Sequence, residues 1–469
     1  MAYWPPYPAK RRERALATTG KDGGLSLMGL SLIPIPTWEE FRRQVEERNL
    51  EVLSGPLMAW RWWQEAADDP RAYISLGKGG APRAVVLQGR RGKRFWIVDA
   101  CVWGRKPDAS LCRDLERLGD ATGMGQWGTP ARLGDALQRR DWEEDGGWRV
   151  ESRPNVFARD MLLDHGVGGR GETMKPGAKI PHCWEIDQRD AYAYAWSLPK
   201  PHGRALATHD ATRLSEGAFA AYGPIRWIIR EELDCPAPLA IRGEDGNLAW
   251  PTEPGTYFGH AWDLEVEDAR GCGIEVEPTG QGREWGSSIR TTLWTERISE
   301  TRRNAGGWGS LVKLTTVAAI GRHGRRPQGW TRMTRQERPG EDLCFSPVTD
   351  EWYGQRPSDP PAMTHWHAYA LMLARRRVWH RAVAERMAGR RIVAIETDSL
   401  VLDGPPKGPV VLRGDDLPGD WSIRREDQEC YTPLTRWAIF DDGTGRTPGL
   451  PFELRAAWLS EHPPPGPSG

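Results

Sequence analysis

The spacing of apolar and polar positions changes several times along the chain, and each change predicts an element. Ala84-Val-Val-Leu and Phe95-Trp-Ile-Val are short apolar runs joined by the basic stretch Gly89-Arg-Arg-Gly-Lys-Arg, which predicts two paired strands. A helix is expected from Thr37 onward, and another carries Leu111, Leu115 and Leu118 with Ser110 near its start. Trp184-Glu-Ile-Asp187 reads as the end of a short strand. A helical Ala/Tyr pattern follows it and is stopped by Pro199 and Pro201. Arg290 to Arg326 holds two helical patterns separated by Asn304-Ala-Gly-Gly. Thr364 to Ala388 predicts a long helix with Trp366, Tyr369, Ala370 and Leu373 on one stripe. Finally, Ile392 to Ile395 and Leu400 to Leu402 flank the polar Glu396-Thr-Asp-Ser399, a run–turn–run that reads as a hairpin with carboxylates at its tip. In extended chain, residues two apart point the same way, so Glu396 and Asp398 are expected on one face. Residues 327–362 are Pro-rich and read as loop, 140–155 are charged and Gly-rich and read as a boundary, and the Pro-rich end from Pro463 is of low complexity.

Composition narrows the picture in a few places. A chain of 469 residues implies two or more domains. Lys+Arg and Asp+Glu are both 64, so net charge selects no partner. Local charge does: residues 290–326 carry eight basic side chains against Glu296 and Glu300, and the long helix carries Arg375, Arg376, Arg377, Arg381 and Arg386. Such faces suit nucleic-acid phosphates. No stretch approaches the ~20 apolar residues of a membrane span, and the N-terminus lacks a signal-peptide core. The seven Cys form no Cys-x-x-Cys, which argues against a zinc knuckle or disulfide framework. A reducing cytoplasm is the expected location, without membrane association. The 25 Trp by their number select neither a core, a sugar platform nor a base-stacking surface; most are expected to pack, and Trp308, Trp330 and Trp366 are the candidates for stacking on bases.

Two carboxylates at the ends of buried strands form a hard-oxygen site suited to Mg²⁺ or Mn²⁺. The plainer alternative is a solvated turn between two core strands. For Asp187 the alternative is a helix N-cap, because a helical pattern follows it. A carbohydrate hydrolase using Glu396 and Asp398 as its acid pair fits less well, since residues two apart on one hairpin lie too close for the ~5–9 Å carboxylate separation of glycosidases.

Three stretches in order carry a family resemblance. The first is Asp187-Gln-Arg-Asp190-Ala191-Tyr192-Ala193, which resembles Asp-x-x-Ser-Leu-Tyr-Pro. The second is Lys313-Leu-Thr-Thr-Val317-Ala318-Ala319-Ile320-Gly321, against Lys-x-x-x-Asn-Ser-x-Tyr-Gly. The third is Ala394-Ile-Glu396-Thr397-Asp398-Ser399, against Tyr-x-Asp-Thr-Asp-Ser. Together they resemble the motifs of family B DNA polymerases, above all the protein-primed branch of phages and linear plasmids. Weaker echoes are Gly168-Gly169-Arg170-x-Glu172, Gly255 to Gly273, and Gly419-Asp-Trp421 with Tyr431 to Ile439, the last resembling the start of a thumb. The resemblance covers roughly residues 165 to 455.

The resemblance implies an α+β right-hand fold of palm, fingers and thumb, preceded by an RNase-H-like exonuclease-type domain. Its segments would be 1–164 for a degenerate exonuclease-like domain, 165–285 for palm with an insertion and 286–330 for fingers. A second palm segment with an insertion would follow at 331–413, then thumb and tail at 414–469. It implies template-dependent DNA synthesis with two Mg²⁺ or Mn²⁺ ions on Asp187 and Asp398, and Glu396 as a secondary ligand. Lys313, Arg302, Arg303, Tyr192 and Gly321 would serve the nucleotide; Gly169, Arg170, Arg322, Arg376 and Arg377 would serve DNA. Partners would be a primer-template, deoxynucleoside triphosphates and, in the protein-primed branch, a terminal protein; the location would be a bacterial host cytoplasm. Glu396 replaces an Asp, and Val317 and Ile320 replace the family's Asn and Tyr, which bears on fidelity and sugar selection. Phe95 to Asp99 and Ser110 to Gly119 resemble a middle part of the exonuclease domain, but no strand-borne Asp-x-Glu is evident; Asp114-Leu-Glu116 falls in a helical pattern. The rival reading is a palm-fold protein that binds nucleic acid without polymerising.

Overall fold

In the computed structural model, the structure describes residues 13–18, 24–27, 32–34, 37–57, 63–69, 71–76, 81–88, 94–106, 108–124, 128–144, 156–174, 176–244, 246–324, 332–336, 343–346, 351–355, 363–411, 417–434, 436–447, 450 and 454–462. The chain divides into two compact units, one of residues 1–148 and 293–362, the other of 149–292 and 363–469.

The first unit is built on a seven-stranded sheet. Its order is Leu32–Pro34, Gly24–Leu27, Glu13–Thr18, Leu50–Ser54, Arg94–Asp99, Pro82–Gln88 and Ala72–Leu76. Leu50–Ser54 runs parallel to both of its neighbours, and every other pairing is antiparallel. The two expected apolar runs pair directly, Val85 opposite Ile97. The three strands before residue 35 are three to six residues long, too short for an apolar run to mark them in the sequence. Phe41 and Val45 of the helix Trp38–Glu47 are buried in the same core as Val52, Trp63, Val85, Leu87 and Ile97. Thr37 caps that helix, its Oγ1 accepting from the Glu40 amide at 3.2 Å. The helix Ala109–Thr122 buries Leu111, Leu115 and Leu118 as its pattern requires, but Asp108 rather than Ser110 is the cap. Asp114, on the same helix, pairs with Arg105 at 2.6 Å.

The helices Leu293–Asn304 and Gly309–His323 belong to this unit and pack on the helix Pro130–Glu144. Buried Arg297 reaches Asp141 at 2.7 Å and Glu144 at 2.8 Å. His323 meets Gln138 at 3.0 Å. The contact is closest at Gly134, where a Cβ would stand 2.5 Å from the Cβ of Ala319 and 2.6 Å from the carbonyl of Thr315. Residues 327–362, expected as loop, instead contain a three-stranded antiparallel sheet of Arg332–Gln336, Glu351–Gln355 and Leu343–Ser346. Its strands are only four or five residues long, too short to stand out beside the Pro-rich stretches between them. Arg325, Arg326 and Trp330 lie outside the described residues.

The second unit has its own seven-stranded, wholly antiparallel sheet. The order is Gly445–Arg446, Ala438–Phe440, Trp421–Thr432, Ala178–Gln188, Ser399–Leu402, Ile392–Glu396 and Gly171–Thr173. Strand Trp421–Thr432 runs along Ala178–Gln188 over most of its length, so the stretch resembling the start of a thumb continues this sheet. The long helix Thr364–Met387 packs across it, with Val378 and Ala382 against Ile186, Ile395, Leu400 and Leu402. Its burial is not confined to one stripe: Trp366, Tyr369, Met372, Arg375, Val378 and Trp379 are all buried. Trp366 has no accessible face for a base, and its indole N–H donates to the carbonyl of Pro201 at 2.6 Å. A second sheet, centred on Ala220–Ile229 and Gly255–Trp262, and the helix Asp263–Gly271 complete the unit. Among the described residues, no helix is long and apolar enough to cross a membrane.

The close approach at Gly134 makes a direct prediction. Gly134→Ala forces two helix backbones apart and should cost about 1–3 kcal/mol. Chemical denaturation followed by tryptophan fluorescence reads this as a lower midpoint, and an unchanged midpoint would show that the helices are not in register as described.

Candidate active site

Asp187 is the penultimate residue of the strand Ala178–Gln188, and Asp398 lies in the turn between Ile392–Glu396 and Ser399–Leu402. The two strands are direct neighbours, with Asp187 opposite Ser399. The amide of Gln188 donates to the carbonyl of Asp398 at 2.8 Å. Two aspartates more than two hundred residues apart are thus held at one end of one sheet, both half-buried. Asp187 is not a helix cap: it sits in the strand, and Asp190, with φ 46°, is at the N-terminus of the following helix Ala191–Ser197.

The turn is held from several sides. Thr397 adopts φ 44°, a left-handed conformation that costs a β-branched residue about 1–3 kcal/mol and persists only where the surroundings enforce it. Its amide donates to the carbonyl of Arg170, and the amide of Asp398 to the carbonyl of Glu396. Gly169 packs against it so closely that a Cβ would stand 2.8 Å from Thr397 Cγ2 and 2.8 Å from the Tyr192 hydroxyl. Only glycine fits there. Tyr192 hydrogen-bonds the Thr397 side chain, and burial, then the charge of Asp398, pushes its hydroxyl up to about 12. From the far edge of the sheet, Arg446 Nη1 donates to Thr397 Oγ1 at 3.1 Å and Arg446 Nε lies 3.7 Å from Glu396.

Glu396 is buried, and its carboxyl is pushed up to about 7. Burial is the main cause; Arg446 and Arg424 oppose it, while the charges of Asp398 and Asp187 add to it. Three carboxyl groups therefore feel one another here. Glu185, two residues before Asp187 and fully buried, is neutralised by Arg425 and by Arg424 at 3.3 Å. Among the described residues, no group of three or more His, Cys, Asp or Glu gathers as a metal cluster. The oxygen-only pair of Asp187 and Asp398, partly open to solvent, is nonetheless the donor type that Mg²⁺ or Mn²⁺ takes when phosphate oxygens and water complete its shell.

Several residues expected to meet DNA have protein partners instead. Arg170 is 1 % exposed. It pairs with Glu172, with Nε at 3.0 Å, and donates to the carbonyl of Ala237 at 2.8 Å. Arg376 pairs with Asp268 at 2.6 Å, which holds its guanidinium firmly charged. Arg377 lies over the ring of Tyr194 and donates to the carbonyl of Gly419 at 2.9 Å. Arg322 pairs with Asp135 at 3.0 Å. A buried guanidinium needs such partners, and sequence does not reveal which arginines have them.

The remaining positions lie on the other unit. Lys313 is exposed on the helix Gly309–His323, and Val317, four residues on, is exposed on the same face. Nothing would stand within 4 Å of a Cβ at Gly321. Ile320, by contrast, is buried in the unit, so it is not part of that face. Arg303 is exposed and Arg302 half-buried at the end of Leu293–Asn304. Nothing in the sequence singles out Arg446, Arg424 or Arg425: they belong to no motif, and only the sheet order brings them to the turn.

No protein-family model matches the chain, and no curated protein matches it. Solved structures do. Phi29 DNA polymerase complexed with primer-template DNA and incoming nucleotide is similar at a TM-score of 0.70 and 12 % identity, over 96 % of this chain and 94 % of that one. The orthorhombic crystal form of Phi29 DNA polymerase gives 0.65 at 13 % identity, over 93 % and 90 %. The fold is that of a right-hand polymerase with an exonuclease domain. On this polymerase fold, the unit of residues 149–292 and 363–469 carries both aspartates, and the other carries Lys313.

The displaced Glu396 equilibrium has a sign that can be checked without any substrate. A folded-state pKa raised to about 7 means that stability is lost as pH rises from about 4.5 to about 7 and stays lower above that. Glu396→Gln removes this loss. In EDTA, its unfolding free energy relative to wild type, from denaturant titrations, should rise across that interval and level off above it, by an amount on the order of 1–3 kcal/mol. A difference that is flat with pH would show that Glu396 titrates normally.

Proposed function

We propose that this chain is a DNA-directed DNA polymerase of the family B, protein-primed type, performing template-dependent nucleotidyl transfer. The observation that carries the reading is that Asp187, opposite Ser399, and Asp398, in the adjoining turn braced by Gly169 and Tyr192, stand at one end of one antiparallel sheet. Asp187 and Asp398 would hold two divalent ions, Mg²⁺ or Mn²⁺, with Glu396 in a supporting place. Bound there, such ions supply the charge that clamps the attacking and leaving oxygens of an in-line displacement at phosphorus. Tyr192, rigid between Gly169 and Thr397, would form the floor beneath the deoxyribose. Lys313, with Arg302 and Arg303, would meet the triphosphate as fixed cations.

The substrates of this reading are a primer-template and deoxynucleoside triphosphates, the groups bound in the Phi29 DNA polymerase complexes. A terminal protein as primer, and a phage or plasmid genome copied in a bacterial cytoplasm, belong to the same proposal. Proofreading is proposed to be missing, since the strand Glu13–Thr18 reads ERALAT and offers no Asp-x-Glu. The competing reading is a protein that binds DNA without extending it. The exposed apolar Val317, standing where the family has Asn, favours it.

Primer extension with Mg²⁺ or Mn²⁺ separates the two. Asp398→Asn should lower extension by at least about a thousandfold while DNA binding and melting temperature hold, and Glu396→Gln should cost less. Without nucleotides, a mismatched 3′ end should stay intact in the same assay. Extension by Asp398→Asn at the wild-type rate would remove the site assignment.

Lys313 gives a second test. Lys313→Ala should raise the nucleotide KM, lower turnover, or both, by roughly ten- to a hundredfold, with little change in DNA affinity. Arg376→Ala should instead lower thermal stability, because it strands Asp268. Loss of DNA affinity by Lys313→Ala with no nucleotide-dependent step would favour the binding-only protein.

A further inference from the structure

Among the described residues, Arg446 is the one charged side chain that touches two successive residues of the carboxylate hairpin, Glu396 and Thr397. We propose that Arg446 is a positioning residue of the polymerase reaction: by gripping Thr397 and Glu396 together, it sets the turn that presents Asp398 beside Asp187. The proposal rests on the polymerase reading above.

The argument begins with strain. Thr397 holds φ 44° and would relax to a right-handed or extended conformation if released. Asp398 is the next residue, so any rotation at Thr397 swings its carboxylate. The amide of Thr397 is tied to Arg170, its methyl is packed on Gly169, and its hydroxyl lies between Tyr192 and Arg446. The first three ties fix where the turn sits. None of them answers the charge that the turn concentrates.

Charge is the second strand of the argument. The groups acting on Glu396 are Arg446 and Arg424, which attract it, and Asp398 and Asp187, which repel it. Arg424 already bonds Glu185 at 3.3 Å. Arg446 is thus the cation that ties Glu396 to the turn itself. A glutamate here is one methylene longer than the aspartate of the family motif, and an arginine fork reaching in from the sheet edge suits that longer arm.

The third strand is rigidity at the arginine's own end. Arg446 ends a two-residue strand, Gly445–Arg446, paired to Ala438–Phe440, which is paired in turn to Trp421–Thr432. Gly445 has φ 127°, and a Cβ there would collide with the carbonyl of Ala438. The backbone that presents Arg446 is therefore locked, while its side chain stays 43 % exposed and able to move when the site fills.

The test uses the full chain with Arg446→Ala, Arg446→Lys, Glu396→Gln and the double variant E396Q/R446A. Arg446→Ala should slow extension at saturating nucleotide by about tenfold or more and leave the nucleotide KM within about twofold. Arg446→Lys should recover most of the rate, and removing Arg446 should cost clearly less in the Glu396→Gln background. Mn²⁺ titration without DNA, followed by electron paramagnetic resonance, should show about three- to tenfold weaker binding to Arg446→Ala, recovered in Arg446→Lys, because the turn no longer presents Asp398 beside Asp187. A merely structural arginine would lower the melting temperature and leave Mn²⁺ affinity at the wild-type value. Arg446→Ala extending at the wild-type rate, equal cost in both backgrounds, or Mn²⁺ affinity unchanged or tightened would each overturn the proposal. A wild-type chain that extends no primer overturns the polymerase reading instead. The Arg446 proposal is then judged on the Mn²⁺ titration alone, where unchanged affinity overturns it.

Discussion

One constraint governs the site: two like charges must be held at one end of one sheet. The hydrogen bond from the Gln188 amide to the Asp398 carbonyl, and the register that sets Asp187 opposite Ser399, fix the backbones, and the contacts of Thr397 with Gly169, Tyr192 and Arg446 hold the turn. Coulomb repulsion between the carboxylates is resisted by the covalent stiffness of two paired strands, which rest on a core of Ile186, Ile395, Leu400 and Leu402 beneath the long helix. Everything near the turn follows from that. Gly169 is glycine because the chain must pass within van der Waals contact of Thr397 and Tyr192, and Glu396 is pushed toward its neutral form first by burial and then by the charges of Asp398 and Asp187.

The same electrostatics explains the use of arginine in this chain. A net charge of zero conceals a large internal traffic of guanidinium groups. Arg375 and Arg376 tie the long helix to the helix Asp263–Gly271 through Glu265 and Asp268, and Arg375 also holds the carbonyls of Val167 and Gly168, while Arg170, Arg377 and Arg381 donate to the carbonyls of Ala237, Gly419 and Pro409. These ties are buried or half-buried, so they hold geometry more than they add stability. A basic helix in sequence is in this case a set of internal struts.

The other unit solves a different problem. Its helices Leu293–Asn304 and Gly309–His323 carry an exposed face with Lys313 and Val317, and bury the opposite face on the helix Pro130–Glu144. Gly134 permits the close approach, and buried Arg297 closes one end by pairing with buried Asp141 and exposed Glu144. Helices that carry exposed charges are thereby braced by residues far earlier in the chain.

Much of this was legible in the sequence. The hairpin 392–402, the strand ending near Asp187, the paired helices after 290 and the long helix from Thr364 are local, because period and turn chemistry are written into neighbouring residues. The ordered motifs also carried the fold, although the chain shares only 12–13 % identity with the polymerase structures it resembles. What sequence did not determine is whatever depends on contact between distant segments. Short strands before residue 35 and within 332–355 lack a long apolar run and are paired only by the sheets that receive them. Arg170, Arg322, Arg376 and Arg377 look like phosphate ligands until the fold supplies Glu172, Asp135, Asp268 and the Gly419 carbonyl. Arg446 looks like nothing until sheet order carries it to Thr397. Local pattern decides which residues form an element, because that depends on neighbours in the chain. Which charges meet one another, and which remain for a ligand, depends on neighbours in space, and only the tertiary structure decides it.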